Sequence, residues 1–372
     1  MFHIIHFFFN HLRIRRTTTD GIFSLKQVIE KRVEFNLETH LAFIDLVKAF
    51  DNVSRQILWQ IMKRRGYPQH LIGVLESIYK ETKIVILIGD RITRSEYVNQ
   101  GVRQGCSLSP TLYNIYMDDA IRRWKQQAPL GIKIAQESYL NTILYADDQV
   151  IIQSSEDDLQ KSVFLLKNIG KEYNMKISTR KTKVMAFAGK DPVRSKIVLD
   201  NRILEQVSHF TYLGCDVSYE KDKEILRRVS RFQTVCGFIN RTFRRRVRKD
   251  TQARLYDVMA VPLLLYGCES WVLRSAQLRK VEAAEMRFLR GMRGCSLRDH
   301  IRSSDIRREL GREETILEKM YRYRSKWVDH VERMAEERVA VRSLNYRPTG
   351  RRSVGRPRKR WCEAGTGVAP NP

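Results

Sequence analysis

"ILYADDQVII", residues 143–152, sets two adjacent carboxylates, Asp147 and Asp148, inside an apolar run. Taking such charges out of water costs several kcal/mol unless they are paired or hold a metal. β-formers flank the pair on both sides, and no Lys or Arg stands nearby in sequence. Successive side chains of a strand point to opposite faces, yet at a hairpin tip both can turn toward one point. Two carboxylates gathered there call for positive charge, which a divalent metal supplies most directly. The competing reading is a polar hairpin tip that simply faces solvent.

A second Tyr-x-Asp-Asp lies upstream in "NIYMDDAIRRW", residues 114–124. Its setting is helical, because Leu112, Ile115, Tyr116 and Ile121 keep a 3.6-residue beat. Asp118 faces Arg122 at i+4, and Asp119 faces Arg122 and Arg123. Solvated helix pairs worth a few tenths of a kcal/mol each account for this stretch. A third acid favours the first pair. In "AFIDLVKAFDNV", residues 42–53, Asp45 ends an apolar strand and Phe50 follows five residues later. Two strands delivering Asp45 and Asp147 side by side would form a two-metal site, of the kind that activates an attacking hydroxyl and stabilises charge on a transferring phosphate.

Composition points to a partner. The 372 residues carry 68 Lys+Arg against 42 Asp+Glu, a net charge of +26. A chain this basic meets a polyanion, with nucleic acid the first candidate. Residues 1–220 hold 31 basic and 24 acidic side chains, whereas 221–360 hold 37 and 17, so the excess is C-terminal. Six scattered cysteines without CxxC spacing argue against a disulfide framework or a zinc knuckle and suit a reducing compartment. The apolar start "MFHIIHFFFNHL" lacks a basic n-region and is too short to span a bilayer, and no other segment spans. A location in the nucleus or cytoplasm, with no membrane partner, is the expectation.

Along the chain, Asp20 can cap a helix over 20–35, and Leu41, Ala42, Phe43 and Ile44 form a buried strand. Ser54 caps a helix that stops near Gly66, and residues 71–79 repeat the pattern. Residues 83–101 read as a hairpin turning at Gly89-Asp90. Pro110 opens a helix to about Trp124, 143–152 returns to β, 158–173 is helical, and "MKIS" and "KVMAFAG" are short strands. From Glu224 onward come basic amphipathic helices. Their stripes are Ile225, Leu226, Val229, Phe232, Val235, Ile239 and Phe243, then Leu278, Val281, Phe288, Leu289 and Met292, then Ile316, Met320, Tyr321, Trp327, Val328 and Val331.

"AFIDLVKAFD", "GVRQGCSLSPTLYNIY", "LYADD", "MKISTRKTKVM" and "FTYLGC" occur in the order and spacing of motifs A to E of reverse transcriptases. The chain resembles the non-LTR (LINE-type) retrotransposon enzymes over roughly residues 11–360. The resemblance implies an α+β right-hand polymerase palm, an antiparallel sheet with packed helices, with partial fingers and an all-α basic thumb and tail. The implied partition is an atypical, disordered start over 1–12, fingers and palm over 13–215, thumb over 216–300, a basic helical region over 301–361 and a disordered tail over 362–372.

The implied activity is RNA-directed DNA synthesis from dNTPs on an RNA template with a DNA primer, using two Mg²⁺ ions or Mn²⁺ in their place. Asp45 and Asp147 match the principal metal ligands, with Asp148 beside them and the Leu46 carbonyl as a backbone ligand. Phe50 matches the aromatic that excludes a ribose 2′-OH, and core packing is its other reading. Gln104 and Gly105 match the template and nucleotide contact, and Lys48 and Ala49 offer backbone N–H groups to the triphosphate. Lys181 matches the lysine that meets leaving pyrophosphate, with Lys183 a rival. Tyr212, Leu213 and Gly214 match the primer grip.

"RTFRRRVRK", carrying Arg244, Arg245, Arg246, Arg248 and Lys249, can follow the phosphates of an RNA–DNA hybrid. A nuclear-import signal and a solvated helix remain alternatives for it. "GRPRKRW" resembles a minor-groove hook. The chain departs from the family in lacking an upstream endonuclease and most finger strands, with Arg13, Arg15 and Arg16 as remnants. The expectation is therefore a fragment of a transposable element, and its alternative function is nucleic-acid binding without catalysis.

Overall fold

A computed structural model describes residues 17–220, 224–243, 246–352 and 359–363. The start, Arg13, Arg15, Arg16, Arg244, Arg245, residues 355–358 of "GRPRKRW" and the tail beyond 363 lie outside the described residues. Two compact units are present, one built from Leu37–Val207, the other from Thr18–Asn36 with the described part of Ser208–Pro372. This grouping differs from the expected partition. The first helix, α1 (Thr18–Glu34), belongs with the C-terminal elements, and the division falls at 207/208.

The first unit is organised on an antiparallel sheet. Strand β1 (Glu38–Ile44) lies at its centre, with the hairpin β2 (Thr142–Tyr145) and β3 (Asp148–Gln153) on one side and β4 (Lys183–Ala188) on the other. Two short strands, at Asp191–Pro192 and Glu205–Gln206, extend the β4 edge. Alternate positions bury one face: Ala42, Ile44, Ile151 and Val184 join a core completed by helices α2 (Arg55–Arg64), α3 (Ser109–Gln127) and α4 (Glu156–Glu172). Ser54 and Ser155 cap α2 and α4 by accepting from the amides of Ile57 and Asp158. Trp124 of α3 is fully buried, and its indole N–H donates to the Ser162 carbonyl at 2.9 Å, so its polar edge is satisfied. The hairpin turning at Gly89-Asp90 forms as expected, with Leu87 opposite Ile92 and its apolar side chains exposed.

The second unit is helical. Ile225, Val229, Phe232 and Ile239 of α5 (Glu224–Phe243), Val281, Phe288 and Leu289 of α6 (Ser275–Arg293), and Ile316 and Met320 of α7 (Ile316–Glu332) share one core. Leu226, expected in the α5 stripe, is exposed instead. Trp327 and Val331 pack in a separate cluster with Phe23 of α1 and Trp361.

That cluster corrects the reading of "GRPRKRW" as a free hook, at least for Arg360 and Trp361. Trp361 is buried and sets its ring edge-on to Phe23, 4.8 Å between centroids. Its indole N–H donates to the Glu269 carbonyl at 2.6 Å, while Arg360 pairs with Glu34 at 2.6 Å. The six cysteines are unbridged, and no described helix is long and apolar enough to cross a membrane.

Candidate active site

The β1–β3 register runs from His40 opposite Gln153 to Ile44 opposite Gln149. Asp45, the residue after Ile44, and Asp148, the residue before Gln149, therefore lie at the same end of the sheet. There β2 and β3 join in a two-residue turn, Tyr145 opposite Asp148, with Ala146 at φ 53° and Asp147 as the central residues. Asp45 is pinned through its backbone. Its amide donates to Thr182 Oγ1 at 3.2 Å, and its carbonyl accepts from the Ser178 amide at 2.8 Å. Leu46 bridges Ile177, closed on the other side by the Val47 amide donating to the Lys176 carbonyl at 2.8 Å.

"MKISTRKTK" therefore runs beside the end of β1 and brings Lys181 Nζ to 3.7 Å from Asp45 Oδ2. Lys183, the rival, turns away to Glu205 at 2.6 Å.

Asp45 Oδ2 is buried and accepts no hydrogen bond among the described residues. Loss of hydration, then the charges of Asp147 and Asp45, push the Asp148 carboxyl above the usual carboxylate range. An acceptor-rich end of a sheet, short of positive charge, has the donor chemistry of a hard divalent cation. Among the described residues, no three Asp, Glu, His or Cys side chains gather into one ready-made metal-holding group. Asp147 belongs to the turn and Asp148 to the strand, so their side chains leave the backbone in different directions.

Phe50 stacks on Tyr113 of α3, with ring centroids 4.2 Å apart and planes at 17°. Tyr113 is fully buried, and its hydroxyl has no hydrogen-bond partner among the described residues. Burial, with the charges of Asp147 and Asp148, raises its phenol pKa and keeps it protonated. Sequence reasoning missed Tyr113. The available signal was a hydroxyl-bearing aromatic on the apolar face that includes Leu112 and Tyr116.

Gln104 is exposed and donates to Asp51 Oδ1 at 3.1 Å. Gly105, at φ 78°, faces open space. Lys48 is exposed at φ 47°, and Ala49 is buried beneath it.

Asp118 and Asp119 are settled otherwise than expected. Asp118 keeps Arg122 at 2.8 Å but is buried and also pairs with Arg65 of the loop after α2 at 2.8 Å. Asp119 pairs with Arg64 at 2.6 Å and Arg65 at 3.2 Å and accepts from the Tyr173 hydroxyl, while Arg123 goes to Glu172. Asp118–Arg122 is the expected pair along one helix, whereas the contacts of Arg64, Arg65 and Tyr173 tie α3 to other elements.

In the second unit, β5 (His209–Tyr212) and β6 (Cys215–Ser218) form a hairpin whose tip is Leu213-Gly214. Arg246, Arg248 and Lys249 are exposed.

The family described as "Reverse transcriptase (RNA-dependent DNA polymerase)" matches residues 5–217. The "Probable RNA-directed DNA polymerase from transposon BS" of Drosophila melanogaster is 25% identical over 350 residues, covering 90% of this chain and 37% of that protein. The "Retrovirus-related Pol polyprotein from type-1 retrotransposable element R2" of Popillia japonica is 25% identical over 209 residues, covering 54% and 34%. The chain thus spans about a third of the length of these curated relatives. Among solved structures, apo telomerase from Candida tropicalis aligns at a TM-score of 0.44 with 13% identity, over 92% of this chain and 60% of that one.

Proposed function

The chain belongs to the reverse transcriptase family, alongside its non-LTR retrotransposon members, and on that premise we propose that the Asp45–Asp148 end of the sheet is a centre for RNA-directed DNA synthesis. In the reaction a primer 3′-hydroxyl oxygen bonds to the α-phosphorus of a dNTP, the α–β bridging P–O bond breaks, and pyrophosphate leaves. Asp45, Asp147, Asp148 and the Leu46 carbonyl would hold Mg²⁺, as two ions, or Mn²⁺ in its place. Such ions, when bound, acidify the hydroxyl and offset charge on the phosphate.

The protein's own groups do the rest. Lys181 is placed to neutralise or protonate the departing pyrophosphate, and the Lys48 and Ala49 amides face the triphosphate. Phe50, braced by Tyr113, forms the wall that a ribose 2′-OH would strike. Gln104 and Gly105 meet the template and nucleotide, and Tyr212, Leu213 and Gly214 meet the primer end. Arg246, Arg248 and Lys249 follow the phosphates of the hybrid, together with Arg244 and Arg245.

The observation that carries this reading is Lys181 Nζ at 3.7 Å from a buried Asp45 oxygen with no hydrogen-bond partner among the described residues, at the end of β1 beside which β3 begins with Asp148. The test is extension of a labelled DNA primer on an RNA template with dNTPs and Mg²⁺. Extension that is abolished by chelation and by Asp45→Asn is expected. A folded parent chain that adds no nucleotide overturns the proposal.

A second reading is nucleic-acid binding without turnover, which the net charge of +26 favours. It predicts salt-sensitive binding with no extension.

A further inference from the structure

The β5–β6 turn is held from behind with unusual density. Leu213 (φ 47°) and Gly214 (φ 75°) both occupy the left-handed region, as a type I′ turn requires. A branched side chain such as Leu213 disfavours that conformation, so it persists only where the surroundings over-determine it.

Three consecutive residues of the turn are tied to side chains. The Tyr266 hydroxyl donates to the Leu213 carbonyl at 2.9 Å. Arg228 of α5, itself buried, donates to the Gly214 carbonyl at 2.8 Å and contacts Cys215 Sγ at 3.3 Å.

Arg228 is in turn fixed. It donates to Glu224 Oε1 and to the Leu263 carbonyl, and its guanidinium lies 5.2 Å from the centre of the Tyr266 ring. Glu224 is completed by Lys26 of α1 at 2.6 Å. The Tyr266 segment can come this close only because Gly267 (φ 77°) follows it, where a Cβ would stand 2.4 Å from Cys215 Sγ. Arg227, one residue away, reaches Asp216 at 2.6 Å on the neighbouring strand.

We infer that Arg228 and Tyr266 are positioning residues that hold the Tyr212–Gly214 turn in the conformation that receives the primer's 3′ end. Both carbonyls they bind point back into the unit, so the opposite edge of the turn is presented in one fixed arrangement. The inference rests on the primer-grip reading of this turn.

Tyr266→Phe is the clean probe, because Tyr266 is partly exposed and its ring is retained. Arg228→Gln is the stronger one. The full chain is given a DNA primer annealed to RNA, with a fluorescent adenine analogue at the primer's 3′ end. This reports seating of the terminus whether or not a nucleotide is added.

Tyr266→Phe should raise the half-saturating primer–template concentration about two- to tenfold, the scale of one hydrogen bond. It should also weaken the terminal fluorescence change, with the half-saturating dNTP concentration and the melting temperature unmoved. Arg228→Gln should exceed that effect. Unchanged seating of the terminus in a folded Tyr266→Phe chain overturns the inference, as does an equal rise for dNTP. A parent that binds and seats the terminus without extending it refutes the polymerase proposal alone.

Discussion

The rings of Phe50 and Tyr113 lie 4.2 Å apart and nearly parallel, and the Tyr113 hydroxyl beneath that stack has no partner among the described residues. A buried, unsatisfied hydroxyl costs about 1–3 kcal/mol, so removing it while keeping the ring is neutral or favourable. Tyr113→Phe should leave stability unchanged or raise it by about 1 kcal/mol in a urea titration. Tyr113→Leu, which removes the stack, should cost about 1–3 kcal/mol and weaken the preference for dNTP over rNTP. A Tyr113→Phe chain less stable than its parent by more than about 1 kcal/mol would show that the hydroxyl is paired.

Arg65 ties the two carboxylates of α3 that resemble the acidic pair of the turn. Arg65→Met leaves Asp118 with Arg122, and Asp119 with Arg64 and Tyr173, so both acids keep some compensation. The expected loss is about 2 kcal/mol, between an exposed pair and a fully buried one. Chemical denaturation measures it, and an unchanged midpoint would mean that the pairs contribute nothing.

Glu30 of α1 gives the second unit a pH dependence. Burial pushes its carboxyl up from 4.5 to about 7, although the Trp361 amide and the charges of Lys31 and Arg360 oppose the shift. The folded chain therefore holds more protons than the unfolded one between pH 4.5 and 7, and stability falls as pH rises through that window. The cost is absent below 4.5, complete above 7, and on the order of 3 kcal/mol. Glu30→Gln keeps an acceptor for the Trp361 amide and should flatten this slope in melts across pH 4–8. An identical slope in the variant would assign the dependence to other groups.

Local chemistry was legible in the sequence. Ser54 before α2, the Gly89-Asp90 turn and the continuous apolar run Leu41, Ala42, Phe43 and Ile44 of β1 each declare their element within a few residues. The ordered motifs also brought Asp45, Lys181 and the acidic turn to one end of one sheet. What stayed hidden depends on contacts far apart in the chain. Asp119 passes over the Arg123 beside it for Arg64, 55 residues away. Trp361 docks on a helix more than 300 residues upstream, and nothing in a seven-residue Arg-rich run signals that. Tyr113 was masked by a helical beat that equally describes plain core.

Two Tyr-x-Asp-Asp stretches began the question, and comparing them tests the answer most directly. Single-nucleotide addition to a DNA primer on RNA is measured for the parent chain, Asp147→Asn and Asp119→Asn, each verified as folded. Asp147→Asn should lose about a thousandfold in rate, the several kcal/mol expected when a metal-holding carboxylate is neutralised. Asp119→Asn should stay within about threefold of the parent, because its carboxylate ties helices rather than reacting groups. Equal losses in the two variants, or a loss confined to Asp119→Asn, would contradict the assignment of the catalytic centre to the Asp45–Asp148 end of the sheet.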